Sequence, residues 1–195
     1  MAQGNVTLTE FTGKLYQSVV QADGEIYHRY TQDGINFSDW ILTGNVPESG
    51  GISISTIVHN GQLYQAVLVA LSGKIYTRSS TDAITWGTWE QFGVAQGHVA
   101  MISYQGSLYQ AVIQSDGEVY TRVVGSSAGW QQGGMAEGNV ALTVFNNKLY
   151  QSVVQEDEDV YLRYCEITTC DVNSGWSSWY KGEKLNKNAY LLWTQ

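Results

Sequence analysis

From Val6 to Thr9 apolar and polar residues alternate, Val6 and Leu8 on one side and Thr7 and Thr9 on the other. That period of two predicts a half-buried strand, Val6–Phe11. The next segment, Leu15–Gln21, is apolar on both sides, with Leu15 and Val19 on one and Tyr16 and Val20 on the other. It predicts a strand covered on both faces. An Asp-Gly signal at 23–24 turns the chain into a third strand, Ile26–Tyr30, as a hairpin connection does. A fourth strand is expected to carry Trp40. No stretch shows the 3.6 period of a helix.

This order of elements recurs. Leu-Tyr-Gln-Ser/Ala-Val begins at Leu15, Leu63, Leu108 and Leu149, and its tyrosines (Tyr16, Tyr64, Tyr109, Tyr150) are 48, 45 and 41 residues apart. Each copy is followed by a turn signal and then by Tyr-x-Arg: Tyr27/Arg29, Tyr76/Arg78, Tyr120/Arg122 and Tyr161/Arg163. Counterparts of the first strand begin at Ile52, Val99 and Val140, and Trp89 and Trp179 repeat Trp40, with the third unit weaker around Trp130. A four-stranded meander repeated at this period is a propeller blade. The expectation is an all-β fold in one domain, a small β-propeller of four antiparallel blades over about 4–49, 50–96, 97–137 and 138–187. A solenoid would need a polar capping repeat, and none is visible. The small residues Ser18, Ala66, Ala111 and Ser152 mark the place where blades crowd together.

After the fourth unit, 188–193 (Asn-Ala-Tyr-Leu-Leu-Trp) aligns, shifted by one, with 138–143 and predicts an extra first strand within 188–195. It could close the ring against the N-terminus, cover an edge, or pair with a second protomer in a homo-oligomer.

Composition narrows the partners. Glycine (21 residues) and aromatics (13 Tyr, 7 Trp) with a single proline suit short strands and tight turns. A net charge of −8 speaks against nucleic acid, which asks for a basic stripe, and against anionic lipid. Met1 to Thr9 hold no leader-like segment and no run approaches membrane-spanning length, so no membrane insertion is expected. The location reads as cytoplasmic or released by a non-classical route. Cys165 and Cys170 are either two surface-loop thiols or a local disulfide. Without nearby histidines they make a poor zinc site, and no metal or cofactor is expected. The acidic run 156–159 lacks the spaced ligands and glycine of a calcium loop and reads as a solvated hairpin tip.

The segment between the third and fourth strands carries a resemblance. Unit one reads Tyr27-His-Arg-Tyr-Thr-Gln-Asp-Gly-Ile-Asn-Phe-Ser-Asp-Trp40, and unit two Tyr76-Thr-Arg-Ser-Ser-Thr-Asp-Ala-Ile-Thr-Trp-Gly-Thr-Trp89. Unit four keeps Tyr161-Leu-Arg-Tyr164 and Trp176-Ser-Ser-Trp179 around the cysteine loop. These resemble the repeat of Photorhabdus-type propeller lectins and, more loosely, the Asp-box hairpin of sialidase-like propellers. The resemblance implies a multivalent lectin with sites between neighbouring blades, favouring fucose or O-methylated sugars, and glycans or glycoconjugates as partners. It departs from that family in blade number, which is usually seven, and in the third unit, which lacks the aspartate and second tryptophan.

A sugar site needs a flat aromatic face for the ring and charged or amide groups for its hydroxyls. The candidates are Tyr27, Arg29 and Trp40; Tyr76, Arg78 and Trp89; and Tyr161, Arg163 and Trp179. The competing reading gives these tryptophans to packing between blades and pairs Tyr-x-Arg with Asp33 or Asp82. His28, His59 and His98 fall in no metal or nucleophile spacing, and no Gly-x-Ser-x-Gly occurs. The chain is therefore expected not to be an enzyme. A protein-interaction propeller is the alternative function, and a small glycosidase the third.

Overall fold

The computed structural model describes residues 2–166, 170 and 175–182. They form sixteen strands in four antiparallel sheets of four, each in simple sequential order. Blade 1 holds β1 (Ala2–Phe11), β2 (Lys14–Gln21), β3 (Glu25–Thr31) and β4 (Ile41–Asn45). Blade 2 holds β5 (Gly51–His59), β6 (Gln62–Val69), β7 (Lys74–Ser80) and β8 (Glu90–Val94). Blade 3 holds β9 (Gln96–Tyr104), β10 (Ser107–Ile113), β11 (Glu118–Val123) and β12 (Gln131–Met135). Blade 4 holds β13 (Glu137–Phe145), β14 (Lys148–Val154), β15 (Val160–Cys165) and β16 (Tyr180–Lys181). This is the four-bladed all-β architecture read from the repeat. The extra strand expected within 188–195 lies outside the described residues.

The first hairpin of every blade turns through two residues that both have positive φ: Thr12-Gly13, Asn60-Gly61, Gln105-Gly106 and Asn146-Asn147. That geometry matches the right-handed twist of the strands on either side. The fourth strands differ from expectation. Trp40, Trp89 and Trp179 precede β4, β8 and β16 instead of lying in them, because the loop must bring each indole back over the arginine of the third strand.

Successive first strands pack side by side, β1 on β5, β5 on β9 and β9 on β13. Polar groups tie them. Asn5 donates from Nδ2 to the Ile54 carbonyl (2.7 Å) and accepts the Ile54 N–H (3.0 Å), so its amide acts as a ladder rung between blades. Thr56 Oγ1 lies 2.7 Å from Thr7 Oγ1 and 2.6 Å from Thr9 Oγ1. Ser53 pairs with His98, and His59 with Ser103.

Apolar clusters fill the junctions: Val20, Ile26 and Val46 meet Ile54, Val67 and Tyr76; Ala66, Leu68 and Ile75 meet Val99, Leu108 and Val112; Ala111, Ile113 and Val119 meet Val140 and Val153. Ser18, Ala66 and Ala111 are buried where neighbouring sheets come together. Gly51 shows how close the approach is, since a Cβ there would overlap Val20.

His28 on β3 is 2% exposed, 5.4 Å from the Tyr16 ring and 6.4 Å from Trp86. Burial, with Arg78 adding repulsion, lowers its pKa from 6.5 to about 4. The folded protein therefore keeps His28 neutral while an unfolded chain takes up a proton near pH 6.5. This contribution to stability is complete above that pH and is lost as pH falls toward 4. Chemical denaturation across that window should show the wild-type midpoint falling more steeply than that of His28→Thr; parallel curves would rule this histidine out as the cause.

Candidate functional site

Each Tyr-x-Arg arginine sits between two aromatic rings. Arg29 stacks on Phe37 and Trp40 at 4.6 and 4.7 Å, Arg78 on Trp86 and Trp89 at 4.4 Å each, and Arg163 on Trp176 and Trp179 at 4.5 and 4.6 Å. The in-plane acceptor is the glutamine of Leu-Tyr-Gln on the adjoining strand: Arg Nε donates to Gln17, Gln65, Gln110 or Gln151 Oε1 at 2.7 to 3.0 Å. The aspartates Asp33 and Asp82 do not take this role. Asp33 accepts the N–H groups of Ile35 and Asn36, and Asp82 those of Ile84 and Thr85. Those donors hold both carboxyls below the usual range.

The third unit solves its missing tryptophan from outside. Arg122 stacks on Trp130 at 5.0 Å and on Phe92, from the outer strand of blade 2, at 4.2 Å. Thr43, Phe92 and Gly133 occupy the same position in β4, β8 and β12, and each meets the arginine of the following blade. The Thr43 carbonyl accepts from Arg78 Nη1 at 3.0 Å and the Gly133 carbonyl from Arg163 Nη1 at 2.9 Å. A Cβ at Gly133 would overlap that guanidinium. Trp89 Nε1 likewise donates to the Asn45 carbonyl and Trp179 Nε1 to that of Gly133. Arg78, Arg122 and Arg163 are 4 to 6% exposed, and burial lowers each to a pKa of about 10, so they stay protonated at neutral pH.

In unit four the disulfide Cys165–Cys170 closes the longer loop, and the Cys170 carbonyl accepts the Trp176 indole N–H at 2.7 Å, which holds that ring on Arg163. Both cysteines are fully buried, so they are not surface-loop thiols.

The tyrosines point elsewhere. Tyr27 Oη donates to Glu25, Tyr76 Oη to Glu48, Tyr120 Oη to Asp116 and Tyr161 Oη to Asp157. Thus the Tyr27, Arg29 and Trp40 set, the Tyr76, Arg78 and Trp89 set and the Tyr161, Arg163 and Trp179 set each divide between two places. Arg78 with Trp89 and Arg163 with Trp179 brace a junction with the preceding blade, Arg29 and Trp40 stack within blade 1, and the tyrosine hydroxyl orients a carboxylate near a hairpin tip. In the blade 1 set Tyr27 and Trp40 line a shallow recess with Val19 and Gln21.

A polar groove lies at the junction of blades 3 and 4. The hairpin tips Ser115–Gly117 and Gln155–Asp157 flank the link Met135–Glu137, and the recess runs on past Gln114 to Asn139. Met135 is half exposed beside it, and Gln155 Nε2 is held by the Met135 carbonyl. Lys181 pairs with Asp157 (2.9 Å) and with the buried Asp159. The Lys181 bond holds the Asp157 carboxyl well below the usual range, ionised and fixed. Asp159 is thus buried under a half-exposed lysine, and the run 156–159 is not wholly a solvated tip. Among the described residues no cluster of three or more histidine, cysteine, aspartate or glutamate side chains is arranged to hold a metal. At the junction of blades 1 and 2 the link is longer, and Glu48 ties to Lys74 and Tyr76 across the corresponding space. Sequence reasoning missed this groove; its signal was the carboxylate spaced four residues before Tyr120 and Tyr161.

No known family matches the sequence, and no curated protein is similar to it. Solved structures share the fold. Xylan β-1,4-xylosidase from Bacillus halodurans C-125 aligns with a TM-score of 0.66 at 7% identity, over 95% of this chain and 42% of the xylosidase. The Hadza microbial sialidase Hz136 aligns with a TM-score of 0.59 at 11% identity, over 93% and 46%. The SapL1 lectin, solved with α-methyl fucoside, aligns with a TM-score of 0.62 at 14% identity, over 93% and 63%. The chain thus spans less than two thirds of each of these structures. At such identities the likeness is one of fold.

It nonetheless corrects the expectation that the chain is not an enzyme, since glycoside hydrolases are among the proteins built on this fold. A missing nucleophile motif has no force there: a hydrolytic carboxylate pair is defined by separation in space.

The braced arginines give a comparison between blades. Gln110→Leu should strand the buried Arg122 without its acceptor and cost roughly 2–3 kcal/mol. Gln17→Leu should cost less, because Arg29 is only half buried. Urea unfolding of both variants checks this; equal costs would count against the arginine brace.

Proposed function

We propose that the chain is a carbohydrate-binding propeller element, a lectin in the sense implied by its repeat, with its sugar site in the groove between blades 3 and 4. One observation carries the reading: Asp116 and Asp157, each fixed by a tyrosine hydroxyl, face one recess with the Gln155 amide and the half-exposed Met135. Pre-oriented carboxylates accept hydroxyl hydrogens strongly, and a thioether beside them offers apolar contact to ring C–H groups. Such a site suits a neutral sugar and needs no metal. Within this reading Tyr161 serves the site by holding Asp157, and Tyr27 and Tyr76 do the same for Glu25 and Glu48. Arg29, Arg78 and Arg163 with Trp40, Trp89 and Trp179 set the brace from which the tips project. The fold shared with a lectin solved with α-methyl fucoside makes that glycoside the first probe.

The test is a glycan array, followed by calorimetry with α-methyl fucoside and with the strongest array ligand. Asp157→Asn and Asp116→Asn should each weaken binding by tenfold or more while the fold is retained. Chromogenic glycosides assayed alongside show whether bound sugar is also hydrolysed. Folded wild-type protein that binds no glycan would defeat the proposal and leave a protein partner as the better reading.

A further inference from the structure

Among the described residues blade 4 does not pack on blade 1 as consecutive blades pack on one another. The packing that joins β1 to β5, β5 to β9 and β9 to β13 has no counterpart of that extent between β13 and β1. Exposure shows what this leaves bare. At one position of the first strand, Ile54, Val99 and Val140 are 0, 3 and 4% exposed, whereas Val6 is 51% exposed. At another, Phe11, His59 and Tyr104 are 3, 8 and 3% exposed, whereas Phe145 is 61% exposed. The first position faces the preceding blade and the second the following one.

The rest of each end agrees. On blade 1, Leu8 and Trp40 are 59 and 43% exposed, and Arg29 lacks, among the described residues, the carbonyl that Arg78 and Arg163 take from the preceding blade. On blade 4, Phe145 and Tyr180 form an apolar recess with Thr143, Tyr150 and Leu162. Ser152 there is partly exposed, while its counterparts Ser18, Ala66 and Ala111 are buried. These are the two halves of an interface that the chain already builds three times within itself.

We propose that copies of this chain associate head to tail, the open face of blade 4 seated on the open face of blade 1 of a second copy. The partner is another copy because each end carries the surface chemistry that fits the other: aromatic rings on one, a valine–leucine–tryptophan face on the other. The Gly182 position of one copy corresponds to Thr43 and Gly133, so its carbonyl falls where Arg29 of the other lacks an acceptor. The contact is heterologous. Two copies close a ring if their rotation allows it, and otherwise longer assemblies follow.

Light scattering after size exclusion, over a hundredfold range of concentration, reads the mass against the 21.6 kDa of one chain. Wild-type protein should reach at least twice that mass. Val6→Glu and Phe145→Glu, both at exposed positions that leave the blades intact, should each remain at one chain. Mixed together they should regain a two-chain species and nothing larger, since each variant blocks only one end. A wild-type monomer at every concentration overturns the proposal, as would occur if 183–195 covered the blade 4 face within the same chain. Self-association that survives in both variants also overturns it, because another surface would then be responsible. The groove of blades 3 and 4 lies away from both substitutions, so glycan binding by the monomeric variants is read separately.

Discussion

A buried guanidinium cannot be left without partners, and three of them, with the half-buried Arg29, organise this molecule. Taking such a charge out of water costs several kcal/mol unless its in-plane N–H groups and its two faces are occupied. Here a glutamine from the second strand takes the plane and aromatic rings take the faces. Cation–π contacts of this kind are stronger when desolvated. Each arginine thereby fixes the distance between the second and third strands and the course of the loop before the fourth. Where the outer strand of the preceding blade adds a carbonyl or a ring, the same group also fixes one blade against the next.

That arrangement explains why the tryptophans are spent on architecture and the tyrosines become available. An indole stacked on a buried arginine, with its N–H bonded to a neighbouring carbonyl, offers little of its face to a ligand. The tyrosine two residues before the arginine points the other way along the strand and reaches the hairpin tip. Its hydroxyl meets a carboxylate in every blade, although the carboxylate comes from Glu25, Glu48, Asp116 or Asp157. The blades thus share a brace and differ at their tips.

Most of the fold was legible because repetition amplifies weak local signals. One Leu-Tyr-Gln followed by Tyr-x-Arg means little, but four copies at matching offsets define strands, turns and blade order together. The pairing of Arg with Gln was hidden because the two lie twelve or thirteen residues apart on adjoining strands, and only the register joins Gln65 to Arg78. Phe92 was less legible still: it serves Arg122 from another blade, while the third unit taken alone supplies one ring, Trp130, and no second. The groove escaped for a similar reason, since Asp116 and Asp157 belong to different repeats.

The loan of Phe92 to Arg122 has a consequence for how such a chain can change. A blade that lends a ring and a blade that borrows one form a matched couple, so the unit of exchange is not the repeat as counted along the sequence. Its boundary runs instead through the outer strand, with β8 belonging functionally to blade 3 and β12, through the bare Gly133, to blade 4. Copying blade 3 behind itself would set an arginine that expects a phenylalanine against a glycine. Lineages and designs that shuffle these repeats are therefore expected to cut just before the outer strand, leaving each lender with its borrower.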